Sequence, residues 1–181
     1  LRIGWAGRGE LPALHTAEFA GPAAVFAGDR VLGGFYVNEL LIKLMQRNDP
    51  HPDLFLLYAQ TMGNLSENAE LEPQLRGFEM GLLREVGYGL SLDSEALTQD
   101  PLLDNAYYEY RAEMGAVLCA SPDASPTGIV FSGRELKAIK CQDFASRQTL
   151  LEARRLLRYV LNHYIGEGGL HTRRIAVAMR R

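Results

Sequence analysis

The chain has 181 residues, of which 47% are hydrophobic and 23% are charged, and its formal net charge at pH 7 is −3. These values are ordinary for a globular domain, and they argue against a disordered chain and against a surface that is basic throughout. No apolar run is long enough to cross a membrane, and the first residues do not resemble a secretory signal. We therefore expect a reduced, cytoplasmic protein with one main domain and no membrane partner.

The charge is unevenly distributed along the chain. Residues 134–181 contain 11 Lys and Arg against 4 Asp and Glu, a net charge of +7, whereas residues 1–133 contain 8 against 18, a net charge of −10. This asymmetry predicts a basic patch near the C-terminal end that could bind phosphates or an acidic peptide. The alternative is a solvated helix face whose charge is balanced by acids elsewhere in the fold.

The first predicted elements are two strands, followed by helices. Residues 1–19 alternate as two short strands around a Gly7-Arg8-Gly9 turn, and such a hairpin should pair with further strands or pack on the body. The first helical pattern runs from Gly28 to Asp49, with a predicted core face of Val31, Phe35, Leu40, Leu41 and Leu44. A second helix over residues 53–65 should use Asp53 as its N-cap.

A third helix is predicted over residues 71–86. Pro73 falls in its first turn, where a missing N–H costs little, and Gly87 follows as a left-handed C-terminal cap. Its apolar residues recur at steps of three and four: Leu71, Leu75, Phe78, Leu82 and Val86.

Arg76 lies beside this apolar stripe and has two interpretations. It could form an ion pair on its own helix with Glu79 or Glu72. It could instead stand at the edge of an apolar groove and bind a carboxylate of a partner, since the planar guanidinium matches two oxygens at once.

The second half of the chain predicts a small β-excursion between helices. Residues 91–131 form the excursion, with SPDASPTG as its exposed connector. Ser132 and Glu135 form a capping box that starts a short helix through Lys140, and Ser146 caps a last long helix through Tyr164. The predicted fold class is therefore mainly α, a helical bundle with a small β-excursion. Five arginines form the candidate phosphate site: Arg154, Arg155, Arg158, Arg173 and Arg174.

No pattern in the sequence indicates catalysis. Nucleophile-elbow, phosphate-loop and zinc-protease motifs are missing, and the four histidines are scattered. Cys119 and Cys141 are too few for a zinc site and are expected to be buried as small apolar residues. We therefore predict a binding protein with no catalytic residues, no metal and no cofactor.

Six motifs occur in the order seen in one family. GRGE, HTAE, FYVNELL, LRGFEMGLLREVGYGL, FSGRELKAI and YIGEGGLHTRR make the chain resemble the RecO family of bacterial DNA repair proteins, from about Gly7 to Arg174. The resemblance implies an N-terminal OB-fold followed by a helical domain. Residues 1–20 would then be the last hairpin of a barrel that is otherwise missing from this chain, and residues 21–181 the helical domain with its β-excursion at about 91–131.

The resemblance also implies a function and partners. RecO-family proteins are recombination mediators that bind single- and double-stranded DNA, anneal complementary strands and act with RecR to load RecA. They also engage the acidic, Phe-ending C-terminal tail of the single-stranded-DNA-binding protein. These activities imply a nucleoid-associated protein in the cytoplasm. The alternative is a protein-interaction scaffold without DNA affinity of its own in this chain, which the −10 balance of residues 1–133 favours.

Site residues follow from the family's motifs. The LRRFE pattern is present as Leu75-Arg76-Gly77-Phe78-Glu79, so the resemblance assigns docking of the acidic tail to Arg76 with Leu75 and Phe78, while Gly77 replaces the second arginine. The closing LKSRE pattern is present as Leu170–Arg174, with His171 in place of the lysine. The four-cysteine zinc site of many members has no counterpart in this sequence.

Overall fold

The computed structural model describes residues 1–7, 12–21, 24–67, 69–121, 123 and 129–179. The predicted mainly helical fold with small antiparallel sheets is confirmed, and no described helix is long and apolar enough to cross a membrane. The strands are β1 (Arg2–Ala6), β2 (Ala13–Glu18), β3 (Tyr107–Arg111), β4 (Gly115–Cys119) and β5 (Val130–Ser132). The helices are α1 (Asp29–Leu44), α2 (Pro52–Ser66), α3 (Leu71–Glu85), α4 (Gly133–Lys140), α5 (Arg147–Ile165) and α6 (His171–Met179).

Strands β1 and β2 form an antiparallel hairpin. Its register shifts between Gly4 and Trp5, and the large apolar side chains of Ile3, Trp5 and Leu14 are exposed. Part of the predicted Gly7-Arg8-Gly9 turn lies outside the described residues. The hairpin thus presents an apolar surface on a two-stranded sheet, which is marginal on its own in water.

The core lies where α1, α3 and α5 meet. Phe78 and Leu82 of α3 are buried as the periodicity predicts, and Gly87 has the left-handed φ of 84° expected after that helix. Helix α5 contributes a continuous apolar face to the same core: Ala153, Leu156, Leu157, Val160 and Leu161.

The predicted face of α1 is correct in part, since Leu40 is buried and Leu41 and Leu44 pack against the core. Val31 and Phe35 are exposed, whereas Gly33 and Gly34 lie inside. A Cβ at position 33 would stand 2.7 Å from Leu71 Cδ1, so the glycine face is the one that lets α3 approach. Close approach at the glycines, together with the burial of Tyr36, Val37 and Leu40, sets the orientation of this helix.

Two of the three predicted N-caps are confirmed. Ser132 and Glu135 make both hydrogen bonds of the capping box, and the Ser146 hydroxyl accepts from the Thr149 N–H. The Asp53 prediction is wrong, because α2 begins at Pro52 with His51 as the N-cap. Proline takes the first helical position, where its missing N–H needs no partner, and this places the N-cap two residues earlier than predicted.

The β-excursion is a three-stranded antiparallel sheet in the order β4-β3-β5. The buried Glu95 ties the preceding loop to this sheet, since its carboxylate accepts hydrogen bonds from the backbone N–H groups of Leu97, Thr98 and Leu118. Most of the SPDASPTG connector lies outside the described residues. The sheet leads directly into α4, because β5 ends at the Ser132 cap.

Candidate nucleic-acid interface

Helix α5 carries basic residues along one exposed face. Arg147, Leu151, Arg154, Arg158 and Asn162 recur at steps of four, three, four and four, so they share one side of the helix. At 1.5 Å per residue, this face is about 22 Å long. The opposite side is the buried apolar face, which fixes the direction of the arginines outward from the core.

The face continues onto α6 through Arg173. Its Nη1 donates to Asn162 Oδ1 at 2.7 Å, which brings the start of α6 to the end of α5. We call this set the arginine track: Arg147, Arg154, Arg155, Arg158 and Arg173. Arg174, the fifth residue predicted from sequence, donates to His171 Nδ1 within α6.

Members of the arginine track differ in how strongly they are held. Arg155 is committed to the fold, because it stacks 4.2 Å from the Phe131 ring centroid and ion-pairs with Glu152 at 3.0 Å. Arg154 pairs at 3.2 Å with Glu72 of α3, and both side chains are 48% exposed. Arg158 is exposed and has no ion pair within the described ranges.

A groove of about 500 Å³ runs beside the middle of the track. Three arginines line it together with apolar and amide side chains, and we call it the α5 groove. Its lining residues are Ile129, Leu151, Arg154, Arg155, Arg158, Tyr159 and Asn162. The sequence identified all three lining arginines but not Ile129, Leu151, Tyr159 or Asn162. Arg147, elsewhere on the track, was also missed, although the spacing of the helical face was a readable signal.

Arg76 does not line the α5 groove and is buried in the fold. It is 8% exposed, and its Nη2 contacts Glu79 Oε1 at 2.8 Å, so the internal ion pair is the interpretation that the structure supports. Tyr36 of α1 also donates to this carboxylate, and Arg173 Nη2 donates to the Tyr36 hydroxyl at 3.1 Å. These contacts join α1, α3 and α6 in one buried network.

Burial controls the protonation of this network. Removal from water raises the pKa of the Glu79 carboxyl, and the opposing effects of Arg76 and the Tyr36 hydroxyl do not cancel it. Burial and the neighbouring Glu79 likewise raise the pKa of Tyr36, so its hydroxyl stays a donor at neutral pH. A guanidinium held in this way does not stand ready at an exposed edge for a partner's carboxylate.

A second hollow of about 530 Å³ lies between α2 and α3, and we call it the α2–α3 hollow. Phe78, Gly77 and Gln74 line it on the α3 side, and Leu57 lines it on the α2 side. Glu70 is the charged residue among the described lining, so the hollow is not cationic. Leu75 is half-buried against the core.

The structure gives the two cysteines different environments from those predicted. Cys119 is half-buried and Cys141 is exposed, and both are free thiols. The expectation that both are buried is wrong for Cys141, because it follows directly on α4 at the surface. Within the described ranges, no group of three His, Cys, Asp or Glu side chains could hold a metal ion.

Comparison of the sequence with known proteins identifies its family. Residues 26–174 match the family described as Recombination protein O C terminal. The chain is 38% identical over 175 residues to the DNA repair protein RecO of Nitrosospira multiformis, with 97% of this chain and 72% of that protein covered. It is 40% identical over 176 residues to RecO of an Azoarcus species, with the same coverage. RecO of Coxiella burnetii is 38% identical, with 97% and 74% covered. A match of this extent, over the helices that carry the arginine track, means that the chain belongs to the RecO family of DNA repair proteins.

Proposed function

We propose that this chain is a recombination mediator that acts by binding and not by catalysis, through contacts with single- and double-stranded DNA that promote strand annealing. Family membership supports the role in DNA repair and recombination. The observation that carries the DNA contact is the arginine track, because a line of guanidinium groups is complementary to a repeating phosphodiester.

The geometry of the track suits contacts with the DNA backbone. Phosphate contacts need exposed cations and no particular base sequence, and Arg154 and Arg158 are exposed on the same helix face. The ion pair between Arg154 and Glu72 is half exposed and so contributes at most about 1 kcal/mol. A phosphate can therefore replace the Glu72 carboxylate at small cost.

The test is the salt dependence of DNA binding. The double variant Arg154→Gln/Arg158→Gln should bind a labelled single strand more weakly, and its slope of log affinity against log salt should be shallower by about 0.7 for each lost phosphate contact. Fluorescence anisotropy measures both quantities. Arg84→Gln is the matched control, since Arg84 is an exposed arginine on α3 whose ion pair, with Glu85 at 3.5 Å, lies away from the track.

Two results would contradict this assignment. An unchanged slope in the double variant would make the two arginines structural. If the unmodified chain shows no DNA binding even at low salt, the chain is a protein-interaction scaffold without DNA affinity of its own. Arg155 is left out of the variant because its contacts with Phe131 and Glu152 also support the fold.

We also propose that the chain engages the acidic, Phe-ending tail of the single-stranded-DNA-binding protein at the α2–α3 hollow, through Phe78 and not through the Arg76 guanidinium, which its ion pair with Glu79 holds inside the fold. Phe78 lines the α2–α3 hollow, which could take the apolar end of such a peptide. Gly77 lines the same hollow where the family pattern has arginine, and Gln142 Oε1 at 3.7 Å is the nearest atom to a Cβ built there. Gly77→Arg should therefore strengthen peptide binding in a calorimetric titration; unchanged affinity would argue against docking at this hollow.

Three further proposals rest on the family. We propose that residues 1–20 are the last hairpin of an OB-fold and residues 21–181 the helical domain; the exposed apolar side chains of β1 and β2 and the start of the family match at residue 26 support this division. We propose that the chain acts with RecR in loading RecA. We propose that it works at the nucleoid, in the cytoplasm.

A further inference from the structure

The α5 groove contains more apolar surface than phosphate binding requires. Leu151 stands between Arg147 and Arg154 on the exposed face of α5, with 47% of its surface accessible. Tyr159 and Ile129 add a ring and an alkyl chain to the same lining. Phosphates make no use of this apolar surface, whereas a ligand with an apolar face would bury it and gain affinity from it.

We propose that the α5 groove is a subsite for an unpaired nucleobase of single-stranded DNA. The inference rests on the proposed function, because it gives the arginine track a preference for one form of DNA. In a duplex the base faces are stacked on one another, whereas a single strand can turn a base into a protein groove. A groove of about 500 Å³ is within the size range of sites for small organic ligands.

The polar groups around the groove fit this ligand. Arg158, which has no ion pair in the described part of the chain, stands one helical turn from both Arg154 and Asn162 and so could hold the adjoining phosphate. The side-chain amide oxygen of Asn162 accepts a hydrogen bond from Arg173. Its amide nitrogen makes no hydrogen bond within the described ranges and is left to donate to a base edge or a sugar.

Charge placement favours a strand over an acidic peptide. The arginines extend on both sides of the groove, from Arg147 at one end of the track to Arg173 at the other. A strand has a phosphate at every nucleotide and can use cations spread over this length. A peptide with an apolar terminal residue needs its cations close to one end of the groove, and it would make no use of Arg147 at the far end of the track.

The experiment compares an oligothymidine with an abasic strand of equal length, which keeps the phosphates and lacks the bases. The unmodified chain should bind the oligothymidine about tenfold more tightly. Leu151→Asn and Tyr159→Leu should each reduce this preference and leave the affinity for the abasic strand and its salt slope unchanged. Leu56→Asn is the matched control, since Leu56 is an exposed leucine on α2.

Each other outcome overturns the inference in a distinct way. Equal binding of both strands by the unmodified chain means that the track holds phosphates alone, and the proposed function survives. No binding of either strand at low salt removes the proposed function together with the subsite. If Leu151→Asn instead weakens only the binding of an acidic, Phe-ending peptide, the groove is a peptide site. Thermal unfolding of each variant identifies any loss caused by misfolding, and the exposed Leu151 keeps the test valid if Tyr159→Leu is unstable.

Discussion

Arg76 and Glu79 illustrate how one residue's role depends on a distant part of the chain. From the sequence, the i, i+3 spacing permits their ion pair and equally permits a free arginine. The ion pair is buried because of Tyr36, which lies 43 residues from Glu79 in the sequence and donates a hydrogen bond to its carboxylate. Local spacing could therefore predict that the pair is possible, but it could not predict that α1 would bury it.

Replacing Arg76 should destabilise the fold. Arg76→Ala leaves the fully buried Glu79 without its cation, and we expect the free energy of unfolding to fall by about 3–5 kcal/mol at neutral pH. Adding Glu79→Gln to that variant removes the buried charge and should recover most of the loss. Denaturant unfolding measures both changes.

The loss should also depend on pH. Because burial raises the pKa of Glu79 in the folded state, its ionisation costs stability as pH rises above the ordinary value of 4.5, and removing Arg76 raises that cost. The effect of Arg76→Ala should therefore shrink as pH falls toward that value. A loss that is the same at acidic and neutral pH would show that lost packing, and not the buried charge, explains the destabilisation.

At the scale of elements, α6 shows what sequence patterns cannot supply. The prediction ended the last long helix at the GEGG segment and assigned no helix to the residues that follow. Helix α6 begins at His171, and its first N–H groups are capped by Glu39 of α1, which accepts from His171 N at 2.7 Å and Thr172 N at 2.9 Å. A cap contributed from 132 residues away leaves no local signal.

Polar contacts hold α6 in place more than apolar burial does. Thr172 is its buried residue, whereas Ile175, Val177 and Met179 are exposed. Burial opposes ionisation of Glu39, but the hydrogen bonds from Thr172 and His171 outweigh it and lower the pKa of this carboxyl. The charged form of Glu39 is therefore the one that caps α6.

Removing this cap should loosen α6 selectively. We expect Glu39→Ala to cost about 1 kcal/mol, and so to speed hydrogen exchange of the α6 amides roughly fivefold. Amides in α3 should keep their protection. Glu67→Ala, at an exposed position after α2, is the control. Equal protection of α6 in both variants would mean that Arg173 alone fastens the helix.

For the whole molecule, apolar periodicity in the sequence predicted where the regular helices lie. The faces that these helices bury depend also on contacts between helices that are distant in the sequence. The buried face of α3 and two serine caps follow from local patterns. The α1 face was mispredicted at Val31 and Phe35 because Gly33 admits Leu71 from a helix that starts much later in the chain. The arginines of the candidate site could be predicted because they are visible as charges, whereas the groove depends on Ile129, which precedes β5 and lies far from α5 in the sequence.

The balance of charge at the surface also predicts a variant with stronger DNA binding. Glu72 neutralises Arg154 at 3.2 Å, so Glu72→Gln should free a cation of the arginine track and strengthen single-strand binding by up to about fivefold at low salt. Anisotropy titrations measure the change. Glu85→Gln alters the net charge equally but acts beside Arg84. If both variants gain equally, the improvement reflects overall charge and not release of Arg154.

Arg173 belongs to both the outer surface and the interior of this molecule. It donates to Asn162 on α5 and to Tyr36, whose hydroxyl donates in turn to Glu79. A DNA phosphate that draws the guanidinium outward must weaken these internal bonds, and by thermodynamic reciprocity any change that loosens them alters the affinity for that phosphate. Binding of a DNA strand at the surface would therefore change how tightly α1, α3, α5 and α6 are held together, because Arg173 takes part in both sets of contacts.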